Sequence, residues 1–294
     1  MHPALIDSHA HLDFDQFDQD RDAVMKRARE AGVQRIITIG TRIGSSRRAI
    51  ELAQKHPDFL TASAGFHPLA IGAPDELDDP DVNEVVLQQH SLQDVHLRCL
   101  LDTGKSTRQW EELERLAHSP EVCAIGETGL DYYYTKDQKL LAQQRASFRR
   151  HLKLSSKLNK PIVVHIRDAF DDAFRITEEE GLNAGGVVHC FTGGIDECQR
   201  ALKLGYFISL SGIVTFKSAR ALRRAVPTIP IDRILLETDS PYLAPTPHRG
   251  SRNEPAFVKH TAEVVAELME LPLNVVCEAA TRNTYELFNL SDPT

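Results

Sequence analysis

Six side chains able to ligate a metal close short apolar runs in this chain. They are His9 and His11 in LIDSHAH, Glu127 in VCAIGETGLD, His165 in PIVVHIR, His189 in GGVVHCF and Asp239 in RILLETDSP. On a strand, residues two apart point to one face, so His9 and His11 make a two-point grip for a cation. A carboxylate after an apolar run is costly to bury alone. Glu127 therefore answers either to a structural Arg or Lys partner or to cations that it bridges. His165 and His189 could each be satisfied core histidines, but they end different runs at equivalent places, and neutral imidazole is the commonest metal ligand. Asp239 could ligate or act as a base. Glu237, two residues upstream, shares its face one layer deeper and reads as the buried partner of an arginine or histidine. Four histidines and two carboxylates exceed one structural zinc. They suit two cations roughly 3.5–4 Å apart, a site for hydrolysis and most naturally for phosphoester hydrolysis.

Ligands scattered along a chain converge only if the fold carries them to one place. The apolar runs predict strands at 4–9, 35–40, 59–66, 122–127, 161–166, 186–191, 206–211 and 233–238. Between them, helical patterns fall at 19–31, 44–55, 108–118, 138–158, 169–180, 195–204 and 217–225, and helices near 255–269 and 272–288 close the chain. Continuous apolar strands are those buried on both faces. Eight strand–helix units predict an α/β fold, a (β/α)8 barrel, as a single domain over 1–294, with C-terminal helices and an inserted segment near 73–107. The insertion is acidic at first (PDELDDPD), with a helix expected around 83–100. A doubly wound open sheet is the alternative, weakened because no strand is followed by a glycine-rich phosphate loop. In a barrel, all six residues lie at the C-terminal strand ends, where such folds place their active sites.

Composition narrows the class. No run approaches a membrane span, and MHPALIDSHAH leads straight into a strand, so no signal peptide is expected. Five cysteines, an odd number without a CxxC pair, read as reduced thiols of a cytoplasmic protein. The net charge of -8 excludes a basic nucleic-acid coat. It leaves room for a polyanionic substrate, because bound cations supply local positive charge.

Seven segments in order, IDSHAHLDF, GFHP, AIGETGLDYY, PIVVHIRDA, VVHCFTGG, LLETDSPYLAP and RGSRNEP, resemble those of the TatD-family metal-dependent deoxyribonucleases of the amidohydrolase-like barrels. The resemblance implies that His9 and His11 hold one cation together with Asp239, that His165 and His189 hold a second, and that Glu127 bridges both. It implies a 3′→5′ exonuclease on DNA, single-stranded or damaged; no obligate protein partner is evident in the sequence. The related phosphotriesterase and dihydroorotase barrels commonly bridge with a carboxylated lysine; here that strand offers Glu127 instead. Imidazole and carboxylate accept zinc, manganese, nickel or cobalt, and magnesium with less preference for histidine, so the cation stays open.

Further candidates would bind substrate. His67 in GFHP could touch a phosphate or simply build a turn. Arg167 offers a guanidinium that matches phosphate oxygens. Arg249, Arg252 and Asn253 occupy the loop after the eighth strand, where barrels often hold phosphate. Tyr132, Tyr133 and Tyr134 could stack on bases or pack beneath the next helix. Cys190 should face the helix layer. Two other readings use the same residues: hydrolysis of another ester, such as an aminoacyl-tRNA or a small phosphoester, and a scaffold that binds metal without catalysis.

Overall fold

A computed structural model of the chain describes residues 4–71 and 104–290. Most of the 73–107 segment, including the helix expected at 83–100, lies outside the described residues. Eight parallel strands follow in sequence order: β1 (Leu5–Ala10), β2 (Val33–Thr38), β3 (Leu60–Ala64), β4 (Val122–Asp131), β5 (Ile162–Arg167), β6 (Gly186–Val188), β7 (Phe207–Leu210) and β8 (Ile234–Leu236). The described α-helices are α1 (Arg21–Glu30), α2 (Ile43–Lys55), α3 (Gly104–Ala117), α4 (Gln138–Leu158), α5 (Phe170–Glu180), α6 (Ile195–Lys203), α7 (Arg220–Ala225), α8 (Val258–Met269) and α9 (Leu273–Phe288). Local chemistry sets their ends. Asp137 caps α4 by accepting from the N–H groups of Lys139 and Leu140 at 2.8 and 3.1 Å, and Asn159 ends it in the left-handed region. No described helix is long and apolar enough to cross a membrane.

The sheet closes between its first and last strands just past β8. The Asp239 N–H donates to the His9 carbonyl at 2.9 Å and the His11 N–H to the Ser240 carbonyl at 2.8 Å, and Ala10 bridges Ser240 in parallel. Asp7 reinforces this seam, accepting from the Thr238 N–H at 2.9 Å and from the Thr238 hydroxyl. The result is the (β/α)8 barrel that the alternating pattern predicts.

Alternation along the strands layers the interior. Ile37, Ala124, Val163, Val187, Phe207 and Leu235 form a buried apolar layer, covered at the N-terminal end by Leu287 and Phe288 of α9. Two residues further along three of these strands stand His165, His189 and Glu237, and two beyond Glu237 stands Asp239. A larger apolar cluster fills the space between the strands and the helices. The chemical residues therefore sit on a buried apolar floor.

Candidate metal centre

The six residues meet at the C-terminal mouth of the barrel. β1 carries His9, and His11 follows its end; β5 carries His165; His189 and Asp239 lie just beyond the short β6 and β8. Glu127 differs from the expectation. It does not end its strand, because β4 runs on to Asp131. A register shift between Ile125 and Thr128 against β5 introduces a bulge at that point, and bulges re-aim side chains beside active sites. Gly129 then takes φ 132°, and a Cβ there would stand 2.0 Å from the His165 carbonyl oxygen. The glycines of GETG thus let β4 lie close to the strand that carries His165.

Glu127, 2 % exposed, is the hub. Its Oε1 lies 2.8 Å from His189 Nε2, 3.1 Å from His165 Nδ1 and 3.3 Å from His67 Nε2. Its Oε2 lies 3.5 Å from His9 Nε2 and 3.9 Å from His11 Nε2. Asp239 Oδ1 completes the His9 and His11 side at 3.6 and 3.3 Å. His165 Nδ1 and His189 Nε2 are 3.3 Å apart, and the His9 and His189 rings stack at 3.8 Å. Two donor groups result: His9, His11 and Asp239 on one side, His165 and His189 on the other, with Glu127 between.

Several of these atoms lack hydrogen-bond partners. Both nitrogens of His9, Nδ1 of His11, Nδ1 of His189 and Oε2 of Glu127 are buried without a well-formed hydrogen bond, their nearest ion-pair contacts being 3.5 Å between His9 Nε2 and Glu127 Oε2 and 3.5 Å between His189 Nδ1 and Glu237. Such atoms are rare in folded proteins and expensive. A cation set among His9, His11, Glu127 and Asp239 would satisfy several at once, so the residues present fit a metal.

The electrostatics point the same way. Burial would raise the pKa of Glu127, but the charges of His189 and His67 and the hydrogen bonds from His165 and His189 hold it well below the usual carboxylate range. Asp239 is likewise lowered against its burial by the hydrogen bond from His11 and the charges of His9 and His189. His189 is raised well above its ordinary value, its burial overcome by Glu127 and Glu237. His165 rises through Asp131 and Glu127, and His11 through Asp239 and Glu127, each against its burial. His9 is lowered by burial and by His189. The carboxylates are held ionised, and protons on histidine balance them wherever a cation does not.

Neighbouring groups fix the orientation. Glu237, fully buried, accepts from the Cys190 N–H at 2.7 Å and faces His189 Nδ1 at 3.5 Å, the histidine partner anticipated for it. Three contributors escape a reading by apolar runs. Asp131 Oδ2 faces His165 Nε2 at 3.3 Å, while its Oδ1 accepts the N–H groups of Tyr133 and Tyr134. Ending the fourth strand at 127 hid it. His151 on α4 accepts the Phe66 N–H on Nε2 at 3.0 Å; its Nδ1 donates to the Ser147 carbonyl at 2.8 Å and lies 3.0 Å from Thr128 Oγ1. It ties together the neighbours of His67 and Glu127. Asp7 belongs to the β1–β8 seam. Only its place two residues before the HxH pair hints at it.

His67 accepts the Leu69 N–H on Nδ1 at 3.1 Å. A neutral ring then carries its proton on Nε2, the atom facing Glu127. His67 therefore presents an N–H donor, better suited to an oxygen than to a cation. The Arg167 guanidinium lies 4.0 Å over the Tyr133 ring and 4.8 Å over the Tyr134 ring, and Arg249 lies 3.6 Å over Phe216.

Arg252 and Asn253, expected as substrate contacts, are engaged within the protein. Arg252 is engaged by Asp20 at 2.8 and 2.7 Å and by the Gln16 carbonyl at 2.6 Å. Asn253 is fully buried and donates to the carbonyls of Thr238, at 2.9 Å, and Tyr242. Both brace the loop. Tyr132 is also engaged, donating to Asp172 and accepting from Arg145. Cys190 does not turn into the helix layer. A left-handed φ of 43° breaks the strand alternation, and its Sγ lies 3.2 Å from Ser211 Oγ.

Comparison with known proteins agrees with this architecture. The family model described as TatD related DNase matches residues 6–289. The chain is 36% identical over 288 residues to the "Uncharacterized metal-dependent hydrolase YabD" of Bacillus subtilis (strain 168), covering 98% of this chain and 100% of that one. It is 33% identical over 298 residues to the "3'-5' ssDNA/RNA exonuclease TatD" of Edwardsiella piscicida, covering 98% and 100%. The crystal structure of YJJV, a TatD homolog from Escherichia coli k12, superposes with a TM-score of 0.82 at 28% identity, covering 98% of each chain. A barrel closed as this one is, with its histidines at the strand ends and a match running almost end to end, belongs to the TatD family of metal-dependent hydrolases.

Proposed function

We propose that this chain hydrolyses phosphodiester bonds of nucleic acid, removing nucleotides from the 3′ ends of single strands, and that it does so with two divalent cations. The observation that carries this reading is the division of Glu127, whose Oε2 faces His9 and His11 while its Oε1 faces His165 and His189. A carboxylate shared in this way suits a bridging ligand. The Edwardsiella relative, named for single-stranded DNA and RNA, supports the choice of substrate.

His9, His11 and Asp239 would hold one cation, and His165 and His189 the other. When bound, such cations supply Lewis-acid stabilisation of phosphoryl oxygens and a water acidified enough to attack at neutral pH. The chain's own groups do the rest. Asp239, held ionised by its histidines, orients the attacking water and accepts its proton. With the Glu127 carboxylate taken up by cations, the Nε2–H of His67, which otherwise faces Glu127 Oε1 at 3.3 Å, would be left to donate to a phosphate oxygen. Arg167 and Arg249, stacked on aromatic rings, offer the edges of their guanidinium planes to flanking phosphates.

Glu127→Gln tests the reading. Metal content measured by mass spectrometry and hydrolysis of a 3′-labelled single strand should fall together. A variant with full metal content and full turnover would remove the bridging role. Parallel assays on DNA, RNA and aminoacyl-tRNA separate the phosphodiester from other esters.

A further inference from the structure

We infer that Tyr133 and Tyr134, with Arg167 behind them, form a stacking platform for unpaired nucleobases at the rim of the metal centre. The inference rests on the nucleic-acid reading above and says how that substrate is held. Partly exposed large aromatic rings are unusual in a chain that buries most of its apolar residues. Tyr133 is 56 % exposed and Tyr134 40 %. They sit edge to face, ring centroids 5.0 Å apart at 90°. Among the described residues, Arg167 has no carboxylate partner. Its guanidinium instead covers one face of the Tyr133 ring at 4.0 Å and leaves its N–H edges for an anion.

The position of this cluster gives it a function. The Asp131 carboxylate holds both tyrosine N–H groups, at 2.9 and 3.2 Å, and its other oxygen faces His165. One side chain thus links the turn that carries the rings to a histidine of the metal centre. Tyr132, the neighbour in sequence, is held by Asp172 and Arg145, which anchors the start of the turn. Aromatic faces beside a cationic group are what sequence-tolerant single-strand binding requires, because every base has a π face. A paired base in a duplex keeps its faces within the stack. The platform therefore selects unpaired ends, and Arg167 takes a phosphate beside the stacked base.

The test combines changes to protein and substrate. Steady-state hydrolysis of a short single-stranded DNA is compared for the wild-type chain and for Tyr133→Ala/Tyr134→Ala, with Tyr133→Phe/Tyr134→Phe as a control that keeps the rings. Each is assayed on the intact strand and on strands with an abasic residue at successive positions from the 3′ end. Binding of a fluorescent oligothymidylate is followed by anisotropy in the same chains. The alanine pair should raise KM about 5- to 150-fold, the range expected for loss of one stacked base, with a smaller effect on kcat. The phenylalanine pair should restore KM, and one abasic position should abolish the difference between wild type and the alanine pair. Equal KM for the alanine pair and wild type on the intact strand would overturn the platform. If the wild type binds the oligonucleotide through the rings without cleaving it, the platform stands and the hydrolytic reading fails. If it neither binds nor cleaves, both fail.

Discussion

Replacing His151 with leucine tests whether one buried imidazole braces the barrel mouth. His151 is fully buried, and burial lowers its pKa from 6.5 to about 4. Its Nε2 is the acceptor for the Phe66 N–H, so leucine leaves that donor buried and unpaired. Such a loss costs about 1–3 kcal/mol. The pH dependence supplies a second, independent magnitude. The folded pKa lies below the unfolded one, so between them the unfolded chain binds a proton that the folded chain refuses. The contribution of His151 is complete above pH 6.5 and is lost as pH falls toward 4. A difference of about 2.5 pH units corresponds to roughly 3 kcal/mol. Urea unfolding of wild type and His151→Leu, followed from pH 7.5 to 4 with chelator present, reads the difference between the two chains, in which other titrating groups largely cancel. The wild type should be about 2–3 kcal/mol more stable at pH 7.5, and that advantage should vanish near pH 4. A difference that stays constant with pH, or a variant as stable as wild type at pH 7.5, would refute the assignment of a neutral, hydrogen-bonded imidazole.

Gly129→Ala should destabilise the fold by about 3 kcal/mol or more, because φ is 132° and the new Cβ would meet the His165 carbonyl at 2.0 Å; a thermal melt matching wild type would contradict the close approach of β4 and β5. Arg252→Ala should lower stability by no more than about 1 kcal/mol, since its partner Asp20 is a third exposed, and should leave the salt dependence of oligonucleotide binding unchanged; a reduced salt slope would restore Arg252 as a phosphate contact. Cation binding at pH 7 should release protons, because His11, His165 and His189 are raised above their ordinary values and ligating nitrogens must be deprotonated. Calorimetric titration in two buffers of different ionisation enthalpy measures the release, and heats that do not depend on buffer would argue against it.

Most of the fold was legible because strand and helix periods leave plain marks. The continuous runs IITIG and PIVVHI mark strands buried on both faces, and the amphipathic 138–158 segment is α4 within its expected bounds. The six central residues were legible because each follows an apolar run, so the barrel carries them to one mouth. What the sequence hid depends on geometry that alternation does not encode. The β4 bulge turns Glu127 inward while the strand continues, and so Asp131, four residues on, reaches the site unannounced. The left-handed Cys190 escapes the rule that neighbours on a strand face opposite ways. Arg252 and Asn253 look like phosphate ligands as residue types. Only the structure puts Asp20 and the Thr238 carbonyl against them. A lone histidine in a helix, His151, carries no sequence signal that it joins the segment after β3 to the bulged middle of β4.

On the function proposed above, the charge at the mouth would couple substrate binding to cation binding. Glu127 and Asp239 are held ionised at the centre, and Asp131, also lowered by His165, stands beside them. The whole chain adds a net charge of -8. A phosphate approaching this surface meets repulsion unless positive charge is placed first, and the nearby guanidinium of Arg48 is directed to Asp13. Among the described residues, Arg167 and Arg249, both stacked on rings, have no carboxylate partner and lie at the end of β5 and in the loop past β8. Two arginines attract a strand weakly at physiological salt. Histidine protonation adds charge to the site but withdraws the nitrogens that ligate, so acid cannot substitute for metal. Oligonucleotide affinity should therefore rise with cation occupancy and fall when a chelator strips the centre. Affinity that does not change on addition of a chelator would refute this coupling.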